Sequence, residues 1–327
     1  MQAKQLFSAV SALGRSKLFG TRIPLAVSWA LTFRCNQRCV YCGIWKNECR
    51  ELNTQEISDA LKQLNNLGTK WISFTGGEPL LREDIGEILR GAKENGFYAS
   101  VSSNGRLVPE KIKQLRFADR IKLSLDGPSQ IHNLARGKGS FEAVEEAIKA
   151  CKQNNIHVCL ECVISKINLN YMDWAVNFAK EHQLRILFQP STRELLWTEA
   201  ANPVAAEIEE YKNAISFLKE KKKEGFPVLN SLAGLGHLYD WPIPKKINCS
   251  AGFLSFDIEP DGSMLACDRA VRKLSKTTHD GQDFATKLKK TSPINGCRQC
   301  WCSSIVEFNL ITAFNRCAAM NFLRNNK

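Results

Sequence analysis

Apolar and polar residues alternate through six short stretches, at 25–33, 70–75, 97–102, 120–125, 157–165 and 184–189, and each reads as a β-strand. Between them the apolar positions recur at helical spacing, which predicts helices over 54–67, 83–95, 109–117, 141–154 and 171–182. Asn53 or Thr54 and Ser140 stand where capping residues belong. Strand and helix in regular succession mean a parallel sheet, and right-handed crossovers let it curl into a barrel or partial barrel. The alternation also predicts what lies inside. In the fourth strand Ile121, Leu123 and Leu125 share one face, and Lys122, Ser124 and Asp126 share the other. The second strand sets Ile72 and Phe74 against Ser73 and Thr75, and the third puts Ser100, Ser102 and Asn104 on one side. The apolar faces must meet the helices, so the polar faces line the interior. A closed barrel of eight strands fills its centre with branched apolar side chains. A polar interior in a six-stranded version implies an open channel that holds a polar ligand.

Both flanks depart from this rhythm. Residues 3–19 form a basic amphipathic helix, broken near Gly14 and Gly20, that could lie on an anionic membrane surface or cover the bottom of a barrel. The second role is the favoured one. The stretch also has the acid-free, Arg- and Ser-bearing look of a transit peptide, and the reading adopted is a prokaryotic protein that keeps it. Residues 205–225 read as a further amphipathic helix with a basic end, and 232–244 as a loop rich in Gly, Pro and Trp. A hairpin turning at Pro260-Asp261-Gly262 follows. The expected division is therefore 1–24, 25–240 and 241–327.

No run approaches the length of a transmembrane span. Thirteen cysteines without a secretory signal argue for a reducing, cytoplasmic setting and for metal rather than disulfides. The net charge of +12 is uneven. Residues 1–47 hold seven bases and no acid, and 268–327 hold eleven bases against four acids, while 48–267 carry 27 bases and 29 acids. Basic flanks on a near-neutral body suit an anionic partner, such as a lipid surface or an anionic substrate, or else form a solvated face. No RNA-binding module or aromatic-basic interleaving is present, which argues against a nucleic-acid partner.

Cys35, Cys39 and Cys42, in the spacing CxxxCxxC, directly follow the first strand. Three thiolates turned to one point suit an iron–sulfur cluster with one iron left open, or three ligands of a zinc site that finds its fourth elsewhere. Thr75-Gly76-Gly77-Glu78-Pro79 ends the second strand, 34 residues after Cys42 to Gly76. Paired glycines allow close backbone approach, and proline fixes the exit. Ser102-Ser103-Asn104-Gly105 and Ser124-Leu125-Asp126-Gly127-Pro128 end the third and fourth strands, where ligands bind in parallel β/α folds. Arg136-Gly137 follows.

In this order these motifs resemble the radical S-adenosylmethionine (radical SAM) superfamily over residues 25–190. The resemblance implies a (β/α)6 partial TIM barrel, with Cys35, Cys39 and Cys42 holding a [4Fe–4S] cluster whose open iron chelates SAM. It also implies Tyr41 as the aromatic before the third cysteine, and Gly76, Gly77, Glu78 and Pro79 around the SAM amino group. Ser124 and Asp126 would stand toward the SAM ribose, Ser102 and Asn104 would bind the cofactor at the barrel mouth, and Arg136 would stand toward the methionine carboxylate. A low-potential reductant such as flavodoxin or ferredoxin is the implied partner. Reduction then cleaves SAM to methionine and a 5′-deoxyadenosyl radical that abstracts hydrogen.

A second cysteine set follows: Cys249, Cys267, Cys297 and Cys300, with Cys302 and Cys317 as possible replacements for one of them. On spacing alone this could be a zinc ribbon. Behind such a barrel it resembles the small α+β SPASM/Twitch extensions that carry an auxiliary [4Fe–4S] cluster. This chain lacks the full SPASM spacing, so the shorter Twitch form with one cluster is expected. Cys49, Cys151, Cys159 and Cys162 read as small buried residues. The function implied is oxidation or tailoring, with the auxiliary cluster as electron acceptor and Glu161 as general base. The rivals are radical C–C bond formation or modification of an anionic peptide or lipid, and a non-catalytic electron carrier or scaffold.

Overall fold

The computed structural model describes residues 11–325, leaving aside 17, 196–197, 199, 244, 268–282, 295–296 and 298–299. All six expected strands are present: β1 (Ala26–Thr32), β2 (Trp71–Gly76), β3 (Tyr98–Ser103), β4 (Arg120–Ser124), β5 (Val158–Ile164) and β6 (Ile186–Pro190). They pair in sequence order, every pair parallel. The C-terminal hairpin, β7 (Ser255–Ile258) and β8 (Met264–Leu265), does not stand apart from this sheet. β7 pairs in parallel with β1, Ala26 opposite Ser255, and β8 returns antiparallel, so one sheet of eight strands runs β6-β5-β4-β3-β2-β1-β7-β8.

The helices between strands are α1 (Thr54–Asn66), α2 (Ile85–Glu94), α3 (Val108–Leu115), α4 (Ser129–Arg136), α5 (Ser140–Gln153) and α6 (Met172–Glu181). α1 starts where it does because Asn53 and Glu56 form a reciprocal capping box at 2.8 and 2.9 Å. α4 has no counterpart among the expected helices; it is two turns long, too short to carry a periodic signal. The strand alternation is realised: Ile121 and Leu123 are fully buried toward the helices, as are Ile72 and Phe74. Burying a side chain of this size contributes roughly 1.5–3 kcal/mol.

After β6 come α7 (Ile208–Lys223), α8 (Leu232–Leu238), α9 (Phe284–Lys290), α10 (Ser303–Thr312) and α11 (Arg316–Asn325). α8 occupies what reads in the sequence as loop. Ser231 caps it through Gly234 N–H, and the bare Gly234 admits the Glu307 carboxylate, which accepts from Ser231 N–H at 2.7 Å. At the far edge of the sheet a parallel bridge joins Val228 to Ile186, with Ile186 N–H donating to Pro227 O and Leu229 N–H to Ile186 O at 3.0 and 2.7 Å. One step on, the Asn230 side chain pairs with both Phe188 N–H and C=O, at 2.8 and 2.9 Å. At the N-terminal ends of the strands, helical residues 11–16 bring Ala12 and Leu13 against Ile23, Leu25 and Leu254. This is the barrel-bottom role; residues 3–10 of that predicted helix lie outside the described residues. Among the described residues no helix is long and apolar enough to cross a membrane.

Candidate active site

The polar strand faces enclose a cavity of about 890 Å³. Ser73, Thr75, Ser100, Ser102, Lys122, Ser124, Glu161 and Gln189 line it, and Cys35, Cys39 and Cys42 open into it from the loop after β1. That loop is built by several independent contacts. Arg38 donates to the carbonyls of Cys35 and Gln37 at 2.6 and 3.0 Å, and its guanidinium lies 4.3 Å from the Trp45 ring centroid. Val40 N–H reaches Ala135 O on α4 at 3.0 Å, and Ile44 packs with Ala30 and Phe33.

The paired glycines press the next loop directly onto it. Gly77 N–H donates to Thr32 O and Glu78 N–H to Arg34 O, both at 2.8 Å. A Cβ on Gly77 would fall inside contact distance of the Arg34 carbonyl and 2.7 Å from Phe33 O. Gly76 has φ +131°, and a Cβ there would meet Thr32 O. The glycines are thus required by backbone meeting backbone, and both line the cavity.

Glu78, Pro79 and Asp126 are buried behind the cavity wall rather than facing the cavity. Glu78 accepts from Leu80 N–H, Ser103 Oγ and Asn104 N–H at 3.1, 3.0 and 2.8 Å, so it fastens the loop after β3 to the loop after β2. Asn104 is thereby held at the cavity, where its amide donates to Asn36 Oδ1 at 2.7 Å. Asp126 accepts from Tyr41 Oη at 2.5 Å, Arg136 Nε at 2.6 Å and Val163 N–H at 2.9 Å. Burial works against its charge, yet Arg136 and these hydrogen bonds hold the Asp126 carboxyl below its usual range. Tyr41, Asp126 and Arg136 form one buried unit that ties the cysteine loop to β4 and α4. Removing one member of a buried ion pair costs roughly 3–5 kcal/mol, because the other charge is stranded.

His132, which the sequence reading passed over, completes this wall. It is fully buried, and Nδ1 accepts from Asp126 N–H at 3.1 Å. Burial pulls its pKa down to about 4, while burial pushes Glu78 up to about 7. The two have opposite linkage. A depressed histidine contributes stability that is complete above its unfolded pKa near 6.5 and is lost as pH falls toward 4. A raised carboxyl contributes stability present below its unfolded value of 4.5 and lost as pH rises toward 7. Each is worth about 1.4 kcal/mol per pH unit in its window, and between 4.5 and 6.5 they cancel. Relative to wild type, Glu78→Gln is expected to add a rising slope of unfolding free energy with pH, and His132→Gln a falling one. Urea unfolding across a pH series measures both; unchanged slopes in the two variants would refute the assignment.

The second cysteine set opens into the same cavity: Cys249, Cys267, Cys297 and Cys300, with Cys302 beside them. Cys317 is exposed and lies outside the lining, which leaves Cys302 as the alternative within the cavity. Asn309 on α10, fully buried, organises the group. Its Oδ1 accepts from Ser250 N–H and Oγ at 2.8 and 2.6 Å, and its Nδ2 approaches Cys300 Sγ at 3.8 Å. Cys49, Cys151, Cys159 and Cys162 are half-buried or buried, and of these Cys159 borders the cavity.

Among the described residues no three His, Cys, Asp or Glu side chains form a chelating group for a single ion. A [4Fe–4S] cluster makes a different demand, one thiolate for each ligated iron, and both sets offer free thiols around open space. Burial raises the thiol pKa of Cys35, Cys39 and Cys249, and takes Cys42 to about 11, so loading either set must release protons. The residues fit the group.

A six-stranded parallel barrel, open at the strand ends and carrying three cysteines on its first loop, defines a class. Residues 29–179 match the family model described as the radical SAM superfamily. The chain is 28% identical over 267 residues to the mycofactocin maturase MftC of Mycolicibacterium smegmatis, covering 77% of this chain and 66% of that protein. It is 30% identical over 217 residues to the Fe-coproporphyrin III synthase of Methanosarcina barkeri, covering 62% of this chain and 53% of the relative. The chain thus spans about two thirds or less of these curated relatives. Among solved structures, Streptococcus suis SuiB bound to S-adenosylmethionine superposes with a TM-score of 0.69 at 16% identity, over 89% of this chain and 71% of that one. Native anSMEcpe with bound AdoMet and the Cp18Cys peptide gives 0.67 at 18% identity, over 91% and 99%. These likenesses extend the shared fold past the barrel into the C-terminal segment.

Proposed function

We propose that the chain is a radical SAM tailoring enzyme that oxidises its substrate, with residues 241–327 serving as a Twitch-like extension. The observation that carries this reading is that both cysteine sets open into one cavity. When bound, a [4Fe–4S] cluster on Cys35, Cys39 and Cys42 would supply the electron that cleaves SAM to the hydrogen-abstracting 5′-deoxyadenosyl radical, and an auxiliary cluster on Cys249, Cys267, Cys297 and Cys300 would accept the electron the substrate gives up.

The protein's own part is positioning and exclusion of water. Gly76 and Gly77 offer a backbone that SAM can approach closely, and Ser102, Asn104 and Ser124 present polar groups to it. Glu78 and Asp126 act from behind, the first holding Asn104 and the second orienting Arg136 and Tyr41. Glu161, which lines the cavity, would take the substrate's proton. β1 is flanked by Ser255 at its foot, opposite Ala26, and leads into the cysteine loop beyond Thr32, six residues on. At about 3.3 Å per residue, the two cysteine sets stand on the order of 20 Å apart, with the substrate between them. A maturase and a synthase among the curated relatives accord with a tailoring role. Basic rims at both ends of the sequence suit an acidic reductant such as flavodoxin or ferredoxin, and the helix at residues 11–16 leaves the neighbouring Leu18 and Phe19 exposed for peripheral membrane contact.

The test is anaerobic reconstitution followed by dithionite and SAM. 5′-Deoxyadenosine should form, and with the true substrate the product should be lighter by two hydrogens. Iron-loaded protein that forms no 5′-deoxyadenosine would overturn the reading. A product of unchanged mass would leave the radical chemistry and remove the oxidation.

A further inference from the structure

The middle of the cavity wall carries a charged pair that SAM binding does not account for. Lys122 Nζ donates to Ser73 Oγ at 3.2 Å, and Glu161 Oε1 stands 3.8 Å away, beyond a direct hydrogen bond. Ser100 Oγ also donates to Ser73 Oγ, at 3.2 Å. An oxygen that accepts from two donors turns its own proton elsewhere, and Ser73 lines the cavity. An ammonium has three N–H groups, of which Ser73 takes one. Among the described residues, the other cations of the lining are engaged differently. Arg136 is held by Asp126, and Arg120 reaches the Asn325 carbonyl at 3.5 Å and lies over the Tyr98 ring. Three adjacent strands, β2, β3 and β4, thus converge a lysine and two serines on one donor-rich spot.

We infer that Lys122 and Ser73 form an anchor for a carboxylate of the substrate, the substrate's carboxylate taking Lys122 from its loose contact with Glu161. This rests on the reading of the cavity as the reaction chamber and adds to it the class of substrate. A carboxylate accepts from an ammonium and a hydroxyl at once through its two oxygens. Its arrival would leave Glu161 beside the bound molecule with its own charge unpaired, as a proton acceptor requires. A simple internal ion pair would make no such selection, since Lys122 would already be neutralised.

The experiment uses reconstituted full-length protein with SAM bound and follows 4-fluorobenzoate, 4-fluorobenzamide and 4-fluorobenzylamine by fluorine NMR. The carboxylate should bind at least tenfold more tightly than the amide, and Lys122→Met should abolish that preference while Lys122→Arg keeps it. Equal binding of carboxylate and amide, preference for the amine, or no measurable carboxylate binding overturns the proposal. So does a Lys122→Met protein that keeps the preference. Iron content and melting temperature are recorded for each protein. If Lys122→Met fails to load or fold, the wild-type preference and Lys122→Arg decide. Wild type that takes up no iron at the Cys35 set would instead count against the radical SAM reading.

Discussion

Replacing Cys35, Cys39 and Cys42 together by Ala is expected to lower iron after anaerobic reconstitution from about eight to about four atoms per chain and to abolish 5′-deoxyadenosine formation. The three thiols occupy one loop between β1 and Ile44 and share one cavity, which the neighbouring Cys49 does not line. The second set sits at the foot of β7, where the bonds of Asn309 to Ser250 and Cys300 do not involve the first loop. Its iron should therefore remain. Iron and acid-labile sulfide, read together with the electron paramagnetic resonance of the reduced protein, make the measurement. Wild type with about four irons falling to none, together with zinc in the second site, would refute the auxiliary cluster and bring redox-neutral chemistry forward. A variant that retains all its iron would refute the assignment of the first set.

Gly77→Ala should be the most damaging single substitution outside the cysteines. The added methyl has backbone on every side, the Arg34 carbonyl and Phe33 O, and backbone cannot swing away as a side chain can. Accommodating it separates the loops after β1 and β2, breaking Gly77 N–H to Thr32 O and Glu78 N–H to Arg34 O. Losing those bonds, with the strain, should cost at least about 4 kcal/mol, a value reached only by buried or special-backbone sites. SAM binding should be lost in whatever protein folds. Gly96→Ala supplies the contrast, since its φ is positive, +76°, where Gly77 carries no such conformation, while no atom lies within 4 Å of its new Cβ. Backbone strain alone would destabilise Gly96→Ala and spare Gly77→Ala. Thermal melting and SAM titration of the pair separate clash from strain, and equal melting temperatures would refute the close-approach account.

Much of this architecture could be read before any coordinates. The six strands were legible because period-2 alternation persists through each, and it placed Ser73, Ser100 and Lys122 inside correctly. The same rule misplaced Asp126, which the alternation groups with Lys122 and Ser124. β4 ends at Ser124, and past that point the chain turns, so Asp126 points into the wall toward Arg136. Glu78 is a similar case: one step past β2, its direction is set by three donors from other segments. His132 gave no signal, since a lone histidine on a two-turn helix is usually packing, and only its bond to Asp126 N–H singles it out. The pairing of β7 with β1 was not legible either. Hairpin patterning reports a turn and two strands, but not which edge of a distant sheet they will join. Nor does sequence show an asparagine side chain continuing a backbone bridge, as Asn230 does beside Phe188.

The parallel seam between β1 and β7 also sets a timetable. β1 is among the first strands to leave the ribosome, yet one of its two edges stays bare until Ser255–Ile258 have been made. Arg22 waits longer still for its bond to Thr291 O, 269 positions on. Contacts of such long range form late and slowly, and an unpaired central strand is an invitation to the wrong neighbour. The barrel therefore cannot complete itself domain by domain as it emerges. Its foundation strand is finished only by the segment that also brings the second cysteine set, which couples closure of the sheet to readiness of the site.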